Sequence, residues 1–457
     1  MPKKTNTTDT KSFITDADLK FMSKAFNGKR VNKIASNAST RSGIASAAAD
    51  FTAINNLPFT FSVDLKQGKI TDQENSGRCW IFAAMNTFRY EIIHRFNLED
   101  FELSQSYIFF YDKLEKANYF LSNVIKTLDE PVDGRLFAFL STDPICDGGQ
   151  WDMIANIVNK YGVVPSYVYP DSENSKKSTW IDEYLTSLLR EDAKKLRDMA
   201  KSSRKLSSKI AHNETKKEML GDVYRMLAIA LGEPPKSFDF TMTDKDGKVT
   251  QDFGITPVEF YNKYVGINLN DRVSLINAPS KDKPLNKTYT VKFLGNVEEG
   301  RPVTYLNLSM DEIKDAVVAQ LKDGHPVWFG SDCMKFSLRK EGVFDRTAAG
   351  FEKLFDIKYE FSKGDRLMWY DSAMNHAMVI LGVNLDKDGR PDRWRIENSW
   401  GKDAGVDGYY VASDSWFDEF VYQVVVDKKY LKKKSADLLG TTPVELEPWD
   451  PMGTLAD

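Results

Sequence analysis

Apolar residues recur at spacings of three and four from Cys79 to Phe96, through Phe82, Met85, Ile92 and Ile93. That period predicts a helix beginning at or beside Cys79. Ser104 can cap a second helix through about Ala117, and a third is expected from Gln150 to Lys160, ended by Gly162. Asp147-Gly148-Gly149, just before the third, reads as a turn. From residue 172 to 231 the pattern thins. Lys, Arg, Glu and Ser dominate, and Leu185, Leu189, Leu196, Met199, Leu206 and Ile210 form a sparse stripe. This predicts a helical insertion, largely exposed or packed on a partner, that Pro234-Pro235 ends. From about residue 286 the texture turns β-rich, with Thr288 to Val291 and Val303 to Tyr305. A helix is expected at Met310 to Lys322, then strands at Val327 to Gly330, Ala377 to Val383, Arg393 to Ile396 and Gly408 to Ala412.

The fold class expected from this order is α+β. A polar segment spans 1–60, a helical lobe 61–171, an insertion 172–285, a β-rich lobe 286–430 and a C-terminal arm 431–457. The Ser- and Ala-rich run from Asn37 to Ala49 reads as mobile or surface-wrapping. In the arm, Pro443, Pro448 and Pro451 are spaced so that no helix is expected, while Leu446, Trp449, Met452 and Leu455 are apolar enough to dock. Extended, fifteen residues from Pro443 reach up to roughly 50 Å, enough to cross a domain.

Composition narrows the chemistry. The net charge of -4 argues against nucleic acid as a partner, and Lys428-Lys429 and Lys432-Lys433-Lys434 read as solvated faces. No apolar run is long enough to span a bilayer, and Met1 to Phe13 lacks the apolar core of a signal peptide. Four histidines and three cysteines, with no Cys-x-x-Cys or His-Glu-x-x-His pattern, lead us to expect no metal and no cofactor. Cys79, Cys146 and Cys333 are odd in number and far apart, which fits free thiols in a reducing cytoplasm.

Four residues carry candidate chemistry. Cys79 stands at a predicted helix start, where unpaired N–H groups and the helix dipole favour a thiolate. By itself it reads first as a small buried hydrophobe. His376 opens an apolar strand; it can pair with Cys79 as imidazolium and donate a proton to a leaving amine, or be a hydrogen-bonded core histidine. Asn398, 22 residues on and one hairpin away, can accept a ring N–H and fix the tautomer of His376, with Trp400 shielding the bond. Gln73, six positions before Cys79, offers a side-chain N–H to a developing oxyanion beside the Cys79 backbone N–H.

With these residues the chain resembles the papain-like cysteine peptidases, and more narrowly the bleomycin hydrolase and aminopeptidase C branch. The likeness lies in Asp72–Phe82 (DQENSGRCWIF), Asp147–Met153 (DGGQWDM), Asn375–Gly382 (NHAMVILG), Arg395–Gly401 (RIENSWG) and Pro448–Ala456 (PWDPMGTLA), with Gly232–Tyr261 also similar. It implies a papain-like two-lobed fold, with Cys79 as nucleophile, His376 as general acid–base, Asn398 as orienter and Gln73 as oxyanion donor. It implies a homohexamer with sites facing an inner cavity, formed in part by the insertion, and residues 1–60 wrapping the catalytic domain. Secreted papain-like enzymes carry a disulfide cysteine three residues before the nucleophile; Ser76 stands there, and Cys146 is left without that partner.

The resemblance also implies that the arm lies in the active-site cleft. Its terminal carboxylate there receives the substrate's α-ammonium group, so that Ala456 and Asp457 act as a ruler and Gly148 and Gly149 present backbone groups to an extended substrate. The family's arm commonly ends close to Leu455-Ala456, and trimming of Asp457 by Cys79 is expected on steric grounds. The expected activity is removal of N-terminal residues from peptides. The rivals are a thiol endopeptidase of the same branch, acyl transfer to amines, and a non-catalytic peptide- or nucleic-acid-binding assembly.

Overall fold

The computed structural model describes residues 13–202 and 207–456, and side chains outside 202–212. The helix predicted at Cys79 is Cys79–Arg95, and it is buried on every face for most of its length. It packs against the helices Gln105–Lys126 and Trp151–Tyr161 on one side and the strands Val327–Ser331 and His376–Leu385 on the other. Ser104 caps its helix as expected, accepting from the Tyr107 N–H at 3.0 Å, but that helix runs on to Lys126. Gly162, at φ 72°, ends the third.

Among the described residues the β-rich half is a twelve-stranded sheet. Its order is Val444–Leu446, Lys287–Val291, Tyr305–Asn307, Arg272–Ile276, Val421–Asp427, Val327–Ser331, His376–Leu385, Pro391–Glu397, Tyr409–Ser413, Val343–Phe344 and Ser337–Leu338, with Val63–Asp64 paired to His376–Leu385. Val421–Asp427 sits in the middle and went unread in the sequence, although its apolar residues Val421, Tyr422, Val424, Val425 and Val426, interrupted only by Gln423, suit a strand buried on both faces.

The insertion departs from expectation in two ways. Its helices, Thr179–Ser202 and Ser207–Leu231, bury Leu185, Leu189, Leu196, Val223 and Leu227 against the Gln105–Lys126 helix of the same chain. The apolar stripe therefore serves the monomer's own core rather than solvent or a partner; the side chains of Leu206 and Ile210 lie outside the described residues. Nor is 172–285 helical throughout: Phe238–Thr243 and Val249–Ile255 form a hairpin, and Arg272–Ile276 belongs to the main sheet.

The described part of the N-terminal segment folds as the helices Asp16–Gly28, Arg30–Ser42, Ile44–Ala48 and Phe51–Asn55. It touches the catalytic body around Ala348 and Lys353, through Asp50 N–H to Ala348 O at 2.8 Å and Lys353–Asp50 at 2.6 Å. The basic run near the arm is matched within the chain: Lys428, Lys429, Lys432 and Lys434 each reach a carboxylate, on Asp271, Asp323, Asp315 and Glu312. The arm is not a fully extended strip. Val444–Leu446 adds a strand beside Lys287–Val291, and Pro451–Ala456 forms a 3-10 helix where none was expected, because Pro451 stands at its first position, where a missing N–H costs no bond.

The two halves are tied by a buried ion pair. Arg89 Nη2 meets Glu397 Oε1 at 2.8 Å, and Asn86 and Gln67 donate to the same carboxylate at 3.1 and 3.2 Å. Both charged side chains are almost wholly buried. Removing one partner strands the other charge in a low dielectric. Arg89→Met is expected to lower the urea unfolding free energy by about 3–5 kcal/mol, and adding Glu397→Gln to restore part of it. A single variant as stable as the parent would contradict this.

Candidate active site

The segment before Cys79 is a braced turn. Gln73 Nε2 donates to Ser76 O at 2.6 Å, Ser76 Oγ donates to Gln73 O at 2.6 Å, and Arg78 Nε donates to Ser76 Oγ at 2.9 Å. Serine at 76 thus takes a hydrogen-bonding role inside this turn. Across the cleft, Gln73 N–H donates to Ser399 O and Ser399 Oγ donates to Gln73 Oε1 at 2.7 Å. With its oxygen fixed as acceptor, the Gln73 amide directs its N–H groups toward the Ser76–Cys79 side. Gly77 N–H donates to Asp147 Oδ2 at 2.7 Å, and a Cβ at Gly77 would lie 2.5 Å from Asp147 Cβ, so only glycine fits.

The helix begins at Cys79 with no side-chain cap, so no side chain takes up its first N–H groups. His376 starts its strand and Asn398 follows the partner strand, whose register pairs Val379 with Glu397. Continuing that register sets Asn398 and Trp400 beside His376. His376 Nε2 and Asn398 Oδ1 are 2.8 Å apart, and Asn398 Oδ1 also accepts from the Ser399 N–H at 2.8 Å. An oxygen already used as acceptor assigns the proton to Nε2, which leaves Nδ1 to exchange a proton elsewhere. Trp400 stacks on the His376 ring at 4.8 Å and 28°, shielding that bond, and Arg339 stacks on Trp400 at 4.5 Å.

The main-chain N–H groups of Ala377 and Trp80 address the Cys79 thiol, which places the start of the His376 strand against the start of the Cys79 helix. Burial pushes the thiol up to about 11, opposed by those N–H groups and reinforced by Asp147. Burial also pushes His376 down to about 4, with the Asn398 bond opposing and Arg339 assisting. A lone charge on either group is costly here, and a proton passing from sulfur to imidazole creates two charges that offset one another's desolvation.

The arm reaches the same place. Leu455 O accepts from the Gly149 N–H at 2.8 Å, and a Cβ at Gly148 would lie 2.3 Å from Leu455 O. The backbone surface expected to meet an extended substrate is therefore occupied by the chain's own arm. Ala456 is buried beside it, and Asp457 lies outside the described residues.

Sequence reading missed the groups that hold the Asp147 turn. Lys113 and Lys116 are buried on the Gln105–Lys126 helix. Lys113 reaches Asp147 at 2.7 Å, Asp182 at 2.5 Å and the Ile145 carbonyl; Lys116 reaches Asp112 at 2.8 Å and the Cys146 and Gly148 carbonyls at 2.8 and 2.5 Å. Burial opposes the Asp147 charge, but Lys113 holds its carboxyl well below the usual range. The apolar rows of that helix gave no sign that two lysines point inward. Among the described residues no group of three His, Cys, Asp or Glu side chains is placed to hold a metal ion.

The crystal structure of PepW from Lactobacillus rhamnosis HN001 matches this fold with a TM-score of 0.94 at 44% identity, covering 97% of this chain and 99% of that one. Aminopeptidase C of Lactobacillus delbrueckii subsp. lactis is 46% identical over 426 residues, 93% of this chain and 94% of that protein. Aminopeptidase C of Streptococcus thermophilus is 48% identical over 398 residues, 87% of this chain and 89% of that protein. The family model described as Peptidase C1-like matches residues 13–453, nearly the whole chain, and on that extent the protein belongs to the Peptidase C1-like family.

Proposed function

We propose that this protein is a thiol aminopeptidase that removes N-terminal residues from peptides. Cys79 Sγ attacks the first peptide carbonyl as His376 Nδ1 takes its proton, and the oxyanion is met by the Cys79 N–H and Gln73 Nε2. His376 returns the proton to the leaving amine, Asn398 keeps the ring oriented, and water then hydrolyses the acyl-enzyme with His376 as base. The observation that carries the exopeptidase reading is the Leu455 O bond to the Gly149 N–H, because a substrate extending past its first residue on that side competes with the arm. Gly148, Gly149 and Ala456 bound the space left for the N-terminal residue.

One aminoacyl anilide, with its α-amine free and then acetylated, tests this with Cys79→Ser as the blank. Hydrolysis of the free form alone is expected. Comparable hydrolysis of the blocked form would make the protein an endopeptidase. Adding an amine nucleophile separates hydrolysis from acyl transfer.

The burial shifts set the pH profile. The working pair carries one mobile proton. A second proton leaves a buried lone cation, opposed by the depression of His376 to about 4. Losing the proton leaves a buried lone thiolate, opposed by the rise of Cys79 to about 11. The acid limb of kcat/KM is therefore expected well below the ordinary imidazole range and the alkaline limb above the ordinary thiol range. An acid limb near an unperturbed imidazole would contradict this.

A homohexamer in a reducing cytoplasm completes the proposal. Two observations support it: Leu19, Phe21, Phe26, Val31 and Ile34 stand exposed on the N-terminal helices, and Cys79, Cys146 and Cys333 are free thiols. Light scattering is expected to give six chain masses, and a monomeric mass would refute the assembly.

A further inference from the structure

Cys146 is a buried thiol that the catalytic steps do not use. Its Sγ lies 2.7 Å from Ala456 O, with the next acceptor, Gly148 O, at 3.9 Å. Three residues on, the Gly149 N–H meets Leu455 O. Two consecutive carbonyls of the arm are thus held by donors on one short loop. That loop is rigid for a reason: the buried ammonium groups of Lys113 and Lys116 bind the carbonyls of Ile145, Cys146 and Gly148. Fixing those carbonyls leaves the Cys146 side chain and the Gly149 N–H pre-aimed at the arm.

The arm's end also has somewhere else to go. A cavity of about 330 Å³ lies beside it, lined in part by Lys116, Phe139, Cys146, Lys292, Pro448 and Ala456. Upstream the arm is firmly anchored, by Tyr305 OH to Met452 O at 3.0 Å and Thr454 Oγ1 to Met374 O at 2.8 Å. Only the final residues therefore have freedom to shift, and those are the ones that set how much of a substrate fits.

We infer that Cys146 is a positioning residue for substrate selection, its thiol latching the Ala456 carbonyl so that the arm's end stays across the substrate path. This rests on the aminopeptidase reading above. It predicts that losing the donor loosens the discrimination against blocked peptides without removing the arm.

The test compares hydrolysis of acetylated and free aminoacyl anilides, as a ratio, for the parent, Cys146→Ala, Cys146→Ser and a variant lacking residues 455–457. Loss of one buried hydrogen bond supports a rise in the blocked-to-free ratio of about three- to tenfold for Cys146→Ala. Serine keeps a donor, and its hydroxyl remains within hydrogen-bonding range of the carbonyl, so Cys146→Ser is expected to stay near the parent. If the truncation raises the ratio and Cys146→Ala does not, the latch is wrong and the arm's role stands. If both Cys146 variants raise it equally, thiol packing rather than donation is responsible and the latch is again overturned. If the truncation leaves the ratio unchanged, the arm's role falls, and the latch with it.

A second measurement covers the case in which Cys146→Ala does not fold. In a Cys79→Ser background, peptide-level mass spectrometry follows N-ethylmaleimide labelling of Cys146 with and without residues 455–457. Faster labelling after truncation supports the contact, and equal rates overturn it.

Discussion

The active site depends on the buried pairing of Arg89 with Glu397. Arg89 lies on the helix that Cys79 begins, and Glu397 ends the strand that Asn398 follows. One charged contact at 2.8 Å therefore sets the helix and the hairpin at a fixed height relative to each other. Because both partners are withdrawn from water, sliding either element by one residue would leave two uncompensated charges, which costs far more than a slipped apolar contact. The consequence is felt at the cleft edge, where His376, Asn398 and Trp400 must meet the first turn of the helix within hydrogen-bonding tolerance.

A second constraint converges on the turn from Ile145 to Gly149. Its Asp147 receives the Gly77 N–H and the Ser178 hydroxyl, and its carbonyl accepts the Trp80 indole N–H at 2.7 Å. Lys113 joins the same carboxylate to Asp182 on the insertion. The segment before Cys79, the insertion and the arm thus share one small loop. Asp182, pushed up by burial and by its neighbouring carboxylate Asp147 despite Lys113, marks how tightly these charges are packed. The arm meets this loop through the Gly149 N–H, and the loop meets the segment around Cys79 through the Asp147 carboxylate and carbonyl.

Much of this was legible in the sequence. The helix starting at Cys79 followed from apolar period, and the strand at His376 followed from its β-branched run. The hairpin bringing Asn398 to His376 followed from their spacing. Gln73 lies in the turn before Cys79 and Trp400 over the His376 ring, but two further partners were not read: Ser399 fixes the Gln73 amide, and Arg339 stacks over Trp400. The insertion's stripe was misjudged because a sparse apolar row looks the same whether it meets a partner or a distant helix of its own chain. Lys113 and Lys116 were invisible for a related reason. A lysine is read as exposed by type, and only neighbouring carboxylates and carbonyls, far away in sequence, make its burial tolerable.

The sequence by itself determined the local elements and the chemical kit: a thiol at a helix start, an imidazole at a strand start, an amide one hairpin on, and an apolar C-terminal arm. Those are short-range properties, governed by periodicity, capping and residue type. The tertiary structure decided the rest. It buried Cys79 and His376 deeply enough to oppose a lone charge on either, laid Leu455 on Gly149, and turned Cys146 from an unpaired disulfide position into a contact of the arm. Burial and hydrogen-bond partnership between residues hundreds of positions apart are set by how the whole chain packs, and no local pattern encodes them.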